Sequence, residues 1–291
     1  MVSDDGRHAL SVIALLGSVF SPYYAAARAA ERSPDPLAHC SMNIALYGPT
    51  RDRWALTERG RGAVHRDEHA LSIGPSAMWW ERGALVIDLD EVTAPFGARI
   101  AGRVRIYPEE RDGSPLTLDA EGKHAWWPIA PAARAEVELT HPRLRFSGAA
   151  YHDANAGDEP LERAFSGWTW SRVACRERAM ITYDVIHRDG GRRLISRSFE
   201  RGGRVHDDVP VVERSLPSTR WGLDRRIQVG PEAKPELLRT LEDTPFYARS
   251  LVRASYLGDS AVGTHETLSL GRFTSRWVQR LLPFRMRRAP S

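Results

Sequence analysis

The densest chemistry in the chain lies between residues 151 and 172, which read YHDANAGDEPLERAFSGWTWSR. Tyr151, Asp153 and Asn155 alternate, so a strand running through them turns a phenol, a carboxyl and an amide to one side. The same spacing also suits an Asp-Asn turn whose side chains cap their own backbone, with Tyr151 in the core. Two indole pairs stand nearby, Trp126 with Trp127 and Trp168 with Trp170. Such pairs pack barrel interiors, but an indole face also attracts a cation, by about 2 kcal/mol where water is excluded. Trp168, Trp170 and Asn155 are the candidates for contact with a substrate.

Other familiar chemistries lack their signatures. There is no G-x-G-x-x-G after a strand, no phosphate loop and no H-E-x-x-H. The stretch from Gly258 to Gly263 misses the spacing of a nucleophile elbow by one residue. His265 with Glu266 is a lone pair that reads as a strand-end hydrogen bond rather than a ligand set. Cys40 and Cys175 are the only cysteines, which gives neither a disulfide framework nor a four-ligand zinc set. No metal or cofactor is expected. Scattered arginines without a recognition module argue against nucleic acid.

The elements that must position these residues are strands. Of the 291 residues, 42% are hydrophobic and 27% charged, the balance of a globular protein. Runs with period-two alternation fall at 53–58, 84–90, 100–107, 135–140 and 144–150, separated by Gly, Pro and Asp clusters. The clearest sets Ile100, Gly102, Val104 and Ile106 against Arg103 and Arg105, as a sheet with one wet side requires. A second series follows at 168–173, 179–187, 194–200, 237–242, 246–257 and 264–270. The expectation is an all-β chain of two tandem antiparallel barrels or sandwiches with few helices. They would meet at the turn-rich stretch 153–160, giving domains 1–158 and 159–291.

Both ends of the chain invite a membrane reading. Residues 9–27 carry no charge before Arg28, yet Gly17 and Pro22 interrupt them and Asp4 and Asp5 precede them. This is a segment that packs on the fold or dips into one leaflet, rather than a signal peptide. From 271 to 291 there are six Arg and no Asp or Glu, interleaved with Phe273, Trp277, Leu281, Leu282 and Phe284. A helix at 272–282 would make this a surface-seeking tail for anionic lipid or a docked terminal helix. The net charge of +4 is itself nearly all arginine and carries little weight.

The blocks HALSVIALLGSVFSPYYAAAR, HCSMNIALYG, RWALTERGR, the 151–172 stretch, TLEDTPFYARSLV and HETLSLGRF resemble the carotenoid 1,2-hydratase (hydroxyneurosporene synthase) family along nearly the whole chain. The resemblance implies a two-domain lipocalin-like β-fold. It implies an intracellular, cofactor-free enzyme that hydrates acyclic carotenes such as neurosporene and lycopene at the membrane where they are made. Tyr151 and Asp153 match that family's Y-x-D and are implied as its catalytic pair, and Trp126 matches an aromatic regarded as important there. His152 stands where the family more often has a hydrophobic residue.

On that resemblance Asp153 is the acid, Trp126 the stabiliser of the resulting cation, and Tyr151 the holder of the water, with Asn155 orienting either partner. Glu58 and Asp243 are the next candidates for the acid. A carotene carrier without catalysis and a pericyclic cyclase on the same fold are the rival readings.

Overall fold

The computed structural model describes residues 1–30, 33–109 and 113–289. The chain forms two compact units, one of Met1–Pro108, Ala133–Tyr151 and Gln279–Ser291, the other of Glu109–Ala132 and His152–Val278. Neither is a contiguous piece of sequence, unlike the linear division expected near residue 158. Each is built on an antiparallel sheet, and the all-β class with few helices is what the structure has.

In the first unit the strands Cys40–Tyr47, Ala9–Leu15 and Arg53–Arg59 pair through the sequence blocks at the start of the chain. The uncharged N-terminal stretch is therefore a strand, followed by the nine-residue helix Pro22–Ala30. Among the described residues no helix is long and apolar enough to cross a membrane. Leu10, Met42, Ile44, Leu56, Ile73 and Ile100 are fully buried in this unit. The alternation at Ile100, Val104 and Ile106 holds, with Arg103 and Arg105 turned toward solvent.

Buried Glu58 joins this unit's C-terminal segment to its sheet. His39 Nδ1 lies 3.0 Å from Glu58 Oε1, and Arg288 donates to the same carboxylate. Arg287–Arg288 runs parallel to Arg53–Arg59 as an added edge strand. The expected helix at 272–282 is instead two short helices, Leu270–Phe273 and Arg276–Leu281. The break falls at Thr274 and Ser275, whose hydroxyls donate to the carbonyls of Leu270 and Arg272, satisfying the first helix's end locally. Residues 290 and 291 of the basic tail lie outside the described residues.

The second unit is a seven-stranded sheet in the order Val205–His206, Arg192–Glu200, Arg178–His187, Phe165–Ala174, Asp259–Ser269, Tyr247–Tyr256, Glu236–Asp243. One face carries Val173, Met180, Val252 and Ala254, packed in a core with Leu216, Ile227 and Val229 of the hairpin Val212–Leu216/Arg225–Val229. The other face carries Trp168, Trp170 and Tyr183.

The stretch expected to be a turn corrects the sequence reading. Strand Leu144–Gly157 runs unbroken through Asp153 and Asn155, and the bend comes only at Asp158. It is hydrogen-bonded to the strand His124–His141. That ladder gives the backbone the partners that Asx side chains would otherwise supply. The strand ends where a side chain would not fit, since a Cβ on Gly157 would sit 2.7 Å from the His124 ring.

Candidate active site

The continuous strand puts Tyr151, Asp153 and Asn155 on one side, as alternation requires. They do not share an environment. Tyr151 and Asp153 are half-buried and the Tyr151 hydroxyl is closed off from solvent, whereas Asn155 is exposed. His152 points to the opposite side of the strand, and burial pulls its imidazole down to about 4, so it is neutral near pH 7. It thus adds no cation to the side that carries Asp153.

Trp126 is completely buried, while its neighbour Trp127 turns outward and is exposed. The Trp126 indole Nε1–H donates to Asp153 Oδ2 at 2.9 Å. Edge-on to the Trp126 ring, with centroids 5.4 Å apart and planes at 88°, sits Tyr183. Tyr183 in turn meets Trp168 at 6.2 Å and 69°. Trp170 is the cross-strand partner of Tyr183 and shares its face. The structure therefore brings Trp126, Asp153, Trp168 and Trp170 to one aromatic cluster, with Tyr183 at its centre.

Tyr183 is the residue that sequence reasoning passed over. Its signal is a single phenol within the largely buried strand AMITYDVIH, which reads as core. Burial drives its phenol far above the ordinary tyrosine range, and the charges of Asp153 and Glu266 push the same way. The phenol stays protonated and can donate.

His124, two residues before Trp126 on the same buried side, fixes this part of the strand. Its Nδ1 is 2.5 Å from Asp119 Oδ2 and its Nε2 is 3.1 Å from the Glu159 carbonyl. Both nitrogens face oxygens, so the ring is held from both ends. Burial of Asp119 works against its charge, but hydrogen bonds from His124 and the Lys123 backbone hold its carboxyl below the usual range.

The alternative acids are placed differently. Glu58 is ion-paired with His39 and Arg288 in the first unit. Asp243 accepts from the Arg220 backbone N–H at 2.8 Å at the end of its strand.

Residues 12–291 match the family model described as carotenoid hydratase CrtC. The chain is 48% identical to the acyclic carotenoid 1,2-hydratase of Thiocapsa roseopersicina, over 99% of this chain and 71% of that one. It is 36% identical to the protein of the same name from Cereibacter sphaeroides, over 96% of this chain and 98% of that one. The chain belongs to the carotenoid hydratase CrtC family. Its fold is also that of an AttH-type crystal structure from Nitrosomonas europaea, with a TM-score of 0.61 over 91% of this chain and 88% of that one at 13% identity.

A member of the carotenoid hydratase family must handle a long hydrocarbon and one polar event at its end. The cluster has the parts for both. Four aromatic rings offer apolar contact, and one carboxyl sits among them, hydrogen-bonded to an indole that can also face a cation. Among the described residues no group of three or more His, Cys, Asp or Glu side chains comes together as a metal ligand set.

Proposed function

We propose that the chain is an acyclic carotenoid 1,2-hydratase that adds water across the terminal 1,2 double bond of carotenes such as neurosporene and lycopene, without a metal or organic cofactor. The observation that carries this reading is the 2.9 Å hydrogen bond from the Trp126 indole to Asp153 within the aromatic cluster. Hydration of a trisubstituted alkene begins with a proton on the less substituted carbon. Asp153 supplies it as the acid of the step, positioned by the Trp126 indole N–H.

Protonation leaves a tertiary cation. The Trp126 and Tyr183 rings supply electron-rich faces close to the carboxyl, and the newly formed Asp153 carboxylate, still bonded by the indole N–H, is the counter-charge. Tyr151 holds the attacking water. Trp168 and Trp170 bind the polyene beside the reacting end. Asn155, exposed on the same strand side, orients the water or the substrate end at the rim.

The substrate lives in a bilayer, and the C-terminal segment supports peripheral contact with that membrane. Trp221 and Trp277 stack at 5.9 Å while both remain 47% exposed, and Arg272, Arg276 and Arg280 accompany them without an acidic residue between.

The test of the reading is Asp153→Asn. The variant is expected to keep the wild-type melting temperature within a few degrees and to lose hydration by about 10³-fold or more. Near-native turnover in a folded Asp153→Asn protein would place the acid elsewhere. Retention of pigment by wild type with no product would favour the carrier.

A further inference from the structure

The polar groups on the aromatic face do not end at Asp153. In the register of the seven-stranded sheet, Tyr183 pairs with Trp170, Trp170 with Glu266, and Glu266 with Arg249. These four residues form one row and project to one face. Adjacent strands lie about 4.8 Å apart, so Glu266 starts about 10 Å along the row from Tyr183, two strands away. Its charge is felt at the Tyr183 phenol alongside that of Asp153.

Glu266 is held in place. Arg249, itself buried, donates from Nε to Glu266 Oε1 at 2.8 Å and lies over the Tyr247 ring at 5.6 Å. The Glu266 side chain nevertheless keeps 22% of its surface open, enough for one oxygen to meet a water. A second carboxylate is therefore fixed on the sheet face where Tyr183 packs edge-on to Trp126, the hydrogen-bond partner of Asp153.

We propose that Glu266 is the base of the hydration step and that Tyr183 carries the captured proton back to Asp153. The inference rests on the hydratase reading above. Asp153 transfers its proton to the less substituted carbon, and the alkene electron pair becomes the new C–H bond. A water lone pair then forms the C–O bond at the tertiary carbon, and the resulting oxonium loses a proton to the Glu266 carboxylate. Protonated Glu266 gives that proton to the Tyr183 oxygen while the Tyr183 O–H proton passes to the Asp153 carboxylate. All three groups return to their starting states, and the sum is alkene plus water to alcohol.

The weak basicity of an arginine-paired carboxylate is sufficient here. Water bound to a tertiary carbocation is a strong acid, so the acceptor needs position more than strength. The buried phenol relays without ionising, because its environment penalises the phenolate.

The experiment measures lycopene hydration in detergent for wild type, Glu266→Gln and Glu266→Ala, with and without sodium azide, alongside Asp153→Asn. The expected result is a loss of about 10²-fold in both Glu266 variants. In Glu266→Ala, azide should capture the cation and give the tertiary azide instead of the alcohol, with Asp153 regaining its proton from solvent, since azide capture needs no base. Asp153→Asn should give neither product. Wild-type hydration in Glu266→Gln, or a folded Glu266→Ala that neither hydrates nor forms azide, would overturn the assignment. If the Ala variant does not fold, the isosteric Gln variant decides alone: hydration lost by about 10²-fold with an unchanged melting temperature supports it, and hydration retained overturns it. Absence of any product from wild type would sink the hydratase reading itself, a result distinct from these.

Discussion

His265 and Glu266 are neighbours in the chain, and they show how differently the two faces of the second unit's sheet are used. His265 points into the covered face and is fully closed: Ser171 Oγ lies 2.9 Å from its Nδ1 and Thr267 Oγ1 3.2 Å from its Nε2. Arg225 on the same side donates to Ser250 and Thr240, and Gln228 to Asp184. These side chains are spent on other protein groups, which makes a stable core and leaves them nothing to offer a substrate. On the opposite face Glu266 keeps an open side, and Tyr183 packs edge-on to Trp126, whose indole donates to Asp153. Saturated hydrogen bonding marks structure, and polar groups aimed into an aromatic wall mark chemistry.

That contrast can be broken or sharpened by substitution. After Asp153→Asn, the largest effect is expected from Trp126→Leu, which removes a cation-facing ring (about 2 kcal/mol) and a hydrogen bond to a carboxylate (about 1.5 kcal/mol), together two to three orders of magnitude in kcat/KM. Trp126→Phe keeps a ring face and should cost about ten-fold less than Leu. Equal losses in two well-folded variants would show that the ring merely packs. Tyr183→Phe preserves the edge contacts to Trp126 and Trp168 while deleting the hydroxyl. It should lower kcat on the order of ten-fold or more with little change in melting temperature. A collapse of stability with unchanged kcat would move Tyr183 to the structural side.

The covered face should respond in stability instead. His265→Leu is expected to cost about 1–3 kcal/mol by urea unfolding, because Ser171 and Thr267 lose their shared partner, with kcat unaffected in the protein that remains folded. Burial and the nearby Arg225 charge pull the His265 imidazole down to about 3. The unfolded chain therefore takes up a proton near pH 6.5 that the native state refuses, and unfolding free energy falls with pH from about 6.5 toward 3. The slope is about 1.4 kcal/mol per pH unit for this histidine, with His152 adding to it. In His265→Leu the slope should be shallower between pH 6.5 and 5; an unchanged slope would mean that His265 does not titrate between the two states.

Strands with one wet face were readable because their alternation is written in residue types, as at Ile100 to Ile106. Strands Ala9–Leu15 and Cys40–Tyr47 were not, since the second is buried along almost its whole length and so shows no alternation. The run through Asp153 and Asn155 misled for a related reason. Its Asp, Asn and Gly residues are turn formers, and only the neighbouring strand, distant in the pairing logic, holds them extended. Within the site, Trp126, Asp153, Trp168 and Trp170 could be singled out from type and spacing. Tyr183 and Glu266 could not, because what distinguishes them is a cross-strand row joining three separate stretches of chain.

The most direct test of the account is to incubate purified protein, treated with chelator and free of added cofactors, with lycopene or neurosporene in detergent made up in ¹⁸O-water. The expected product is heavier by one molecule of water and carries the label at its tertiary alcohol, formed by wild type and absent with Asp153→Asn. Pigment bound stoichiometrically with no labelled alcohol, or equal product from Asp153→Asn, would contradict it.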